Sequence, residues 1–520
     1  MHRWILVLVL LTLLVLPADA AVYVVNPYGT GDFPNIQAAV VGATDGDVIE
    51  LTNGTFSGDG NRDVDFLGKV LTIRSASGDP TSCVIDCEGE ESNFHRGFHF
   101  HSGEGQASVL ADVQVQNGWA ISGGGALCEN GSSPTLSNLI FDHDRANHEG
   151  GGLCCYTGAA PLVSGCVFTY CSGSYGGGVA GDEASPTFTG CDFIRNDTDG
   201  PGLLKGGGGI YAKNCTLIVR DCFFSWNFGE DYAGGLSCSG ATATLELTGS
   251  HFYDNGTDGA GGAASFACTG GQEISNCTFA DNSAFHPAGG FAIRGPAQVT
   301  YCTVTTNFTY MEAGGVGVSE GDVSFENTII WDNAAEYSAP EMMISPGASV
   351  SLTCCDVDSA GIVNSGNLSW GEGNVFLDPR FCGDENPEDP YTLHALSPCA
   401  PDANPECGLI GAWPVGCGGQ GVDVPLGIVD VRLHAHPNPT PGEIELGFQV
   451  PAPNPLVDLA IYDATGRRVR RLANGRRAAG IHCISWDGTD DRGQRVPAGA
   501  YFGRITIGDQ SAAHRLLVVR

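Results

Sequence analysis

Between residues 120 and 335, short apolar runs alternate with polar corners in a fixed order. Glycine-rich runs at 123–127 (GGGAL), 150–153 (GGGL), 176–179 (GGGV), 206–210 (GGGGI), 234–236 (GGL), 261–264 (GGAA), 289–293 (GGFAI) and 314–318 (GGVGV) each open onto β-prone residues. Between them fall NLIFDHD, GCVFTYC, GCDFIRN, DCFFSWN, GSHFYDN, NCTFADN, YCTVTTN and NTIIWDN. The main apolar position of this second element is Phe141, Phe168, Phe193, Phe224, Phe252, Phe279, Val304 and Ile330, at intervals of 25 to 31 residues. Runs this short form no stable sheet alone. Stacked as coils, each pairs with its counterpart in the next coil at about 4.8 Å and buries a continuous core. A β-propeller needs about 40–45 residues and four strands per blade, and no helical period spans a repeat. The pattern predicts an all-β chain: a right-handed parallel β-helix solenoid with an N-terminal helical cap, followed by a small C-terminal β-sandwich.

The repeat assigns roles to its own residues. Cys and Phe two apart share one face of a strand, so Cys166, Cys191, Cys222, Cys277 and Cys302 are expected as a ladder of small buried hydrophobes beside the Phe row, in preference to disulfides between coils. Asn196, Asn227, Asn255, Asn282, Asn307 and Asn333 fall three residues after the apolar position. They are expected as a corner device, because Asn tolerates left-handed backbone and hydrogen-bonds neighbouring turns. The glycine runs are expected at the opposite corner, where no side chain fits.

The ends read differently. A basic pair (His2, Arg3), the apolar run WILVLVLLTLLVL and the small-residue site Ala18-Asp19-Ala20 predict a signal peptide over 1–20. Residues 21–80 are assigned to the N-terminal cap and first coils, with Asp32 as N-cap of a helix over 34–43 that plugs the solenoid end. Residues 81–376 are the expected β-helix, and 377–422 a Cys- and Pro-rich closing cap and linker. In that cap Cys382, Cys399, Cys407 and Cys417 are spaced for local bridges. Residues 423–520, with alternating strands and Ala-Thr-Gly and Asp-Arg-Gly turns, form the sandwich.

Three resemblances follow from these motifs. The alternation of GG-A/G-I/L/V with F-x-x-N over residues 120–335 is similar to the repeats of polymorphic outer-membrane proteins and related β-helices of pectin-lyase-like fold, which implies fold more than activity. The opening YGTGDFPNIQAA resembles that of pectin methylesterases. The pattern P-N-P … Y-D-x-x-G-R-x-V … W-D-G-x-D-x-x-G … V-P-A-G-x-Y over 434–520 resembles the C-terminal sorting domain of type IX secretion and the immunoglobulin-like domain of hook-capping protein. It implies that secretion machinery is a partner and reads the Arg515 and Arg520 end. The expected location is secreted or attached to the outer surface of a bacterium with an outer membrane.

Charge narrows the partners. The chain carries a formal −35, and residues 421–520 hold 12 basic and 10 acidic side chains, which leaves the strong negative charge on the body. An anionic body disfavours nucleic acid. Beyond the signal no segment is apolar enough to span a membrane, and a monomer is expected. The 21 Cys form no C-x2-C pair, so no zinc site is expected.

Candidate chemistry is sparse. Only Lys69, Lys205 and Lys213 are lysines, too few for a lyase that must neutralise uronate and abstract a proton. The segment FDHDRANHEGGG gathers Asp142, His143, Asp144, Arg145, His148 and Glu149 in what reads as one connecting loop. With Asp192 of the esterase-like DFI, Asp142, His143 and Asp144 are the candidate catalytic residues. Oxygen-rich turns place Asp197, Asp199, Glu230, Asp231 and Asp258 on one edge, where Ca2+ is the one cofactor they can take. Tyr170, Tyr175, Trp226, Tyr232, Tyr253 and Trp331, with Phe285 and Tyr310, are assigned to the same edge as a ledge for glycan stacking. The leading expectation is a non-enzymatic binding or adhesion module for a glycan or surface ligand. The alternative is a polysaccharide-acting enzyme of pectate lyase, polygalacturonase or pectin esterase type.

Overall fold

The computed structural model describes residues 20–199, 205–386 and 389–418, and in the C-terminal module 433–436, 444–450, 456–463, 466–477, 480–507 and 510–518. Residues 1–19 of the expected signal peptide, and Arg520, lie outside the described residues. Among those described, no helix is long and apolar enough to cross a membrane.

The body is a right-handed parallel β-solenoid of about 14 turns. Each typical coil lays one strand on each of three faces. In one coil these are Leu153–Tyr156, Leu162–Ser164 and Val167–Thr169; the next coil places Val179–Asp182, Thr187–Thr189 and Asp192–Ile194 directly on them, in register. A short fourth rung forms an edge after the third face in later coils, at Phe228–Gly229, Gly256–Thr257, Ser283–Ala284, Phe308–Thr309 and Ala334–Ala335.

Exact stacking of coils turns the sequence rows into physical ladders. Phe141, Phe168, Phe193, Phe224, Phe252 and Phe279 stack nearly parallel, with neighbouring centroids 4.4–5.0 Å apart. Each is fully buried and contributes about 2–3 kcal/mol through removal of apolar area from water. The row extends beyond the recognisable repeats as Phe56, Ile85 and Val115 at one end and Val357 at the other. Flanking coils keep the apolar register and lose the Phe signature. The last glycine of most runs packs on this row: a Cβ on Gly125 would stand 2.5 Å from Cδ1 of Phe141.

Cys166, Cys191, Cys222, Cys277 and Cys302 are buried free thiols in one row. Ser250 interrupts the row, its hydroxyl accepting from Cys222 N–H at 3.1 Å. The asparagines face inward. Asn227 donates to Asn255 Oδ1 at 2.9 Å and to the Phe193 carbonyl at 2.8 Å, and the same pattern recurs at Asn196, Asn255, Asn282 and Asn307. One expectation fails here. The left-handed residue at this corner is the one before the ladder position, which is Asp144 and Cys171 in two early coils and asparagine in the next six: His143, Tyr170, Arg195, Trp226, Asp254, Asp281, Thr306 and Asp332 all have φ between 52° and 59°. The asparagine itself is not left-handed; its amide satisfies the buried backbone that the turn exposes.

The helical plug spans Ile36–Gly42 and buries Ile36, Ala39 and Val40. Its N-cap is Asn35, whose Oδ1 accepts from Ala38 N–H at 2.8 Å. Asp32 is not the cap; it accepts from Val24 N–H at 2.7 Å. Lys69 closes the other end, its Nζ donating to the carbonyls of Val40, Val41 and Ala43 at 2.7–2.9 Å.

The closing cap folds back over the third face. Its bridges are Cys354–Cys407 and Cys382–Cys417. Cys399 forms none; its thiol is buried and donates to Asp356 Oδ2 at 2.9 Å. Cys354, the partner of Cys407, belongs to the solenoid, so one bridge anchors the cap to the coils. Trp413 lies on the His251 ring at 5.0 Å and donates to Thr278 Oγ1 at 2.7 Å.

The C-terminal module pairs a three-stranded antiparallel sheet (Leu433–His436, Ile444–Val450, Gly480–Trp486) with a four-stranded one (Leu456–Asp463, Arg468–Arg476, Gly499–Ile507, Gln510–Val518). Trp486, Leu446, Leu459, Ile461, Ile505 and Leu516 fill the space between them. Arg515 reaches the solenoid and donates to Asn138 Oδ1.

Candidate functional site

Three consecutive residues expected together are sent to three environments. Asp142 ends the strand Ile140–Asp142 with its carboxylate on the outer surface. His143 occupies the left-handed corner. Asp144 falls in the asparagine register and points inward, fully buried, with Oδ1 accepting from Gly118 N–H at 2.7 Å. Its Oδ2 is buried without a partner, and burial raises its pKa well above the usual carboxylate range. Asp144 occupies the ladder register two coils before Asn196, with Cys171 between them. Residues Arg145–Glu149 are a strand that pairs with Trp119–Ser122, so the expected loop is not one.

Asp142 accepts from or donates to His143 Nδ1 at 2.6 Å. Burial raises the Asp142 pKa, and the neighbouring His143 opposes the rise. A chain of amides ties it to a second carboxylate: Gln114 donates to Asp142 at 3.3 Å and to Gln116 at 3.0 Å, and Gln116 donates to Asp86 at 2.9 Å. These amides bridge Asp86 and Asp142, where a hydrolase keeps room for water and a glycosidic oxygen. Asp192 stands apart, two coils on and in a different outer row. Burial lifts its pKa to about 7, and Arg515 is the charge that opposes this. The four catalytic candidates do not converge.

The aromatic candidates also divide. Tyr170 is 45% exposed, yet its ring stacks on His143 at 4.9 Å and carries the Arg195 guanidinium on it at 5.8 Å. Both partners compete with a sugar for its faces. Trp226 occupies the left-handed corner two coils on from Tyr170 and is 58% exposed. Tyr175 packs on Tyr211 at 5.0 Å, and Tyr232 lies two rungs along the same corner. Tyr253 and Trp331 are not on a free ledge. The closing cap covers them, with Tyr391 beside Tyr253 and the Leu393–Cys399–Ile410 cluster against Trp331.

The carboxylates assigned to Ca2+ are spread along the coils rather than gathered. Lys205 takes two of them, pairing through Nζ with Glu230 and donating its backbone N–H to Asp231 at 2.8 Å. Among the described residues no group of three His, Cys, Asp or Glu is placed to hold a metal ion.

What the coils do align is an edge row. Glu230, Asp258, Phe285, Tyr310 and Glu336 occupy the third position after the ladder asparagine in five successive coils. Backbone bonds hold them in step: Asp258 N–H to the Gly229 carbonyl, Phe285 to Thr257, Tyr310 to Ala284 and Glu336 to Thr309, at 2.9–3.3 Å. Phe285 is 51% and Tyr310 49% exposed, with ring centroids 5.7 Å apart. Phe308 meets Tyr310 edge-on at 4.9 Å, and Tyr337 beyond them is 72% exposed. Phe308 and Tyr337 escaped the sequence reading. The signal was available as aromatic residues one and four places after the ladder asparagine. A second concavity, a groove of about 710 Å³ on the second face, is lined by Glu246, Glu273, Gln298, Ser324 and Ser351 and contains no aromatic side chain.

Comparison with known proteins agrees with this architecture in two segments. Residues 96–272 match the family described as right handed beta helix region, and residues 438–510 match the FlgD Ig-like domain. The basal-body rod modification protein FlgD of Salmonella typhimurium is 34% identical over 88 residues, 17% of this chain and 38% of that protein; the Salmonella typhi protein matches equally. The chain thus spans well under half the length of these relatives. Among solved structures, pectate lyase Pel9A aligns over 77% of this chain and 97% of its own, with 15% identity and a TM-score of 0.41. PfbA, a surface adhesin of Streptococcus pneumoniae, aligns over 66% and 87%, with 8% identity and a TM-score of 0.20. The protein joins a right-handed parallel β-helix to a C-terminal FlgD Ig-like domain.

Proposed function

We propose that the protein is an exported, surface-held β-helix that binds a glycan without turning it over, and that its Ig-like domain serves export or attachment through the secretion machinery. One observation carries the binding reading: Phe285 and Tyr310, half exposed and in register on successive coils, form an aromatic step on a rigid scaffold. Exposed apolar area of this kind marks an interaction surface, and a solenoid edge presents it without the entropy cost of ordering a loop. The separation of Asp142, His143, Asp144 and Asp192 supports binding over catalysis.

The test is affinity electrophoresis of the whole protein through gels that contain individual polysaccharides. Retardation in at least one gel, relieved by Phe285→Ala with Tyr310→Ala, is the expected result. Unchanged mobility in every gel, or release of reducing ends from any of the polysaccharides, overturns the reading.

A further inference from the structure

The residues around the aromatic step also specify the charge of what lies on it. From Asp221 to Ser345 the chain holds fifteen Asp and Glu against one Arg and no Lys. Arg294 is already paired with Glu320 at 2.9 Å on the first face, and among the described residues the one base beside the aromatic step is His286, edge-on to the Phe285 ring at 5.5 Å. Along the edge row the aromatic pair is bracketed, with exposed Asp258 one coil before Phe285 and exposed Glu336 one coil after Tyr310. Among the described residues neither carboxylate has a salt-bridge partner, whereas Glu230, one coil further back, is taken by Lys205. Glu312 adds a further carboxylate in the loop after Tyr310.

We infer that this edge binds a cationic polysaccharide, a β-1,4-linked chain of amino sugars running along the solenoid axis, with sugar rings over Phe285 and Tyr310 and ammonium groups at Asp258 and Glu336. The inference rests on the glycan-binding reading and narrows it to one charge class. Two physical arguments favour it. Polyuronates are repelled by an uncompensated anionic strip, whereas an ammonium group gains both from the carboxylates and from aromatic faces, at about 0.5–2 kcal/mol per cation–π contact. The coil spacing of about 4.8 Å also lies close to the length of one extended β-1,4-linked pyranose, so successive sugars meet successive coils. An extended basic peptide repeats its side chains on one face every ~6.6 Å and falls out of step after one residue.

The experiment is calorimetric titration of the full chain at mildly acidic pH with five probes of equal length: deacetylated β-1,4-glucosamine oligosaccharide, its N-acetylated form, a cello-oligosaccharide, an oligogalacturonate and oligolysine. Binding of the deacetylated oligosaccharide is expected to exceed that of the others and to weaken with salt. Phe285→Ala is expected to reduce it about tenfold, and Asp258→Asn and Glu336→Gln about threefold each. The two isosteric changes lie on exposed side chains and test the charge argument without removing packing. Equal or tighter binding of the neutral or uronate oligosaccharide overturns the inference and leaves the glycan reading standing. Oligolysine binding as tight as the amino sugar overturns it in favour of a basic polypeptide. Failure of all five probes overturns both.

Discussion

The carboxylate of Glu341 accepts from the Asn333 side-chain amide at 2.6 Å and from its backbone N–H at 3.3 Å, closing the asparagine ladder with a buried acid. Burial lifts the Glu341 pKa from 4.5 to about 7, and the two Asn333 bonds oppose the rise. An acid whose pKa is raised on folding holds its proton more tightly in the folded chain. Its contribution is therefore complete below the unfolded value and is lost as pH rises through about 7. The expected loss is about 3 kcal/mol. Denaturation midpoints measured across that window should fall for the native sequence and stay flatter for Glu341→Gln, which keeps the acceptor without the charge. An identical pH slope in both proteins refutes the assignment.

The interior of the ladder leaves no substitute for an amide. Asn255 accepts from Asn227 through both its backbone N–H and its side chain, and donates to the Phe224 carbonyl and to Asn282. Asn255→Ala strands several buried partners at once, and a loss of about 3 kcal/mol is expected in urea denaturation. Asn255→Asp restores the acceptor and not the donors, so a smaller loss is expected at low pH than at neutral pH.

Lys69 holds the end of the plug helix by three carbonyls. Lys69→Met keeps the stem and removes the charge. About 1–2 kcal/mol of local stability should go with it, read as faster amide exchange over residues 36–43 with the distant coils unchanged. Equal protection of the helix in both proteins counts against the role.

Cysteine chemistry should divide sharply within the cap. Peptide mapping without reduction should recover Cys354 with Cys407 and Cys382 with Cys417, and leave Cys399 as a thiol. The Cys354–Cys407 bridge closes 53 residues, and Cys407→Ser is expected to cost about 3–4 kcal/mol. Cys399→Ser keeps a donor toward Asp356 and should cost less. A Cys399 disulfide in the map would contradict the structure.

Much of the scaffold was legible because a solenoid writes its contacts into the chain at one period. Phe168 meets Phe193, and Cys166 lies one rung from Cys191, because equal positions of successive repeats become neighbours in space. The limits were equally physical. Val115 and Ile85 occupy the Phe register with ordinary apolar side chains, so the early coils carried no signature. Arg195, Trp226 and Asp254 adopt left-handed backbone without being Gly or Asn, beside asparagines whose amides satisfy the exposed peptide groups. Cys354 was passed over as a bridge partner because it lies in the solenoid, 53 residues from Cys407.

The candidate site depended still more on the third dimension. Sequence alone determined the period, the inward rows, the acidic body and the β-sandwich at the end, all consequences of local pattern and repetition. Only the tertiary structure decided which face of the backbone each side chain took. It sent Asp142 outward and Asp144 inward though they are two residues apart, because a single left-handed corner separates them and reverses the alternation of a strand. It also folded the cap over Tyr253 and Trp331 and left Phe285 and Tyr310 open, a choice made by contacts more than a hundred residues distant, such as Trp413 on Thr278.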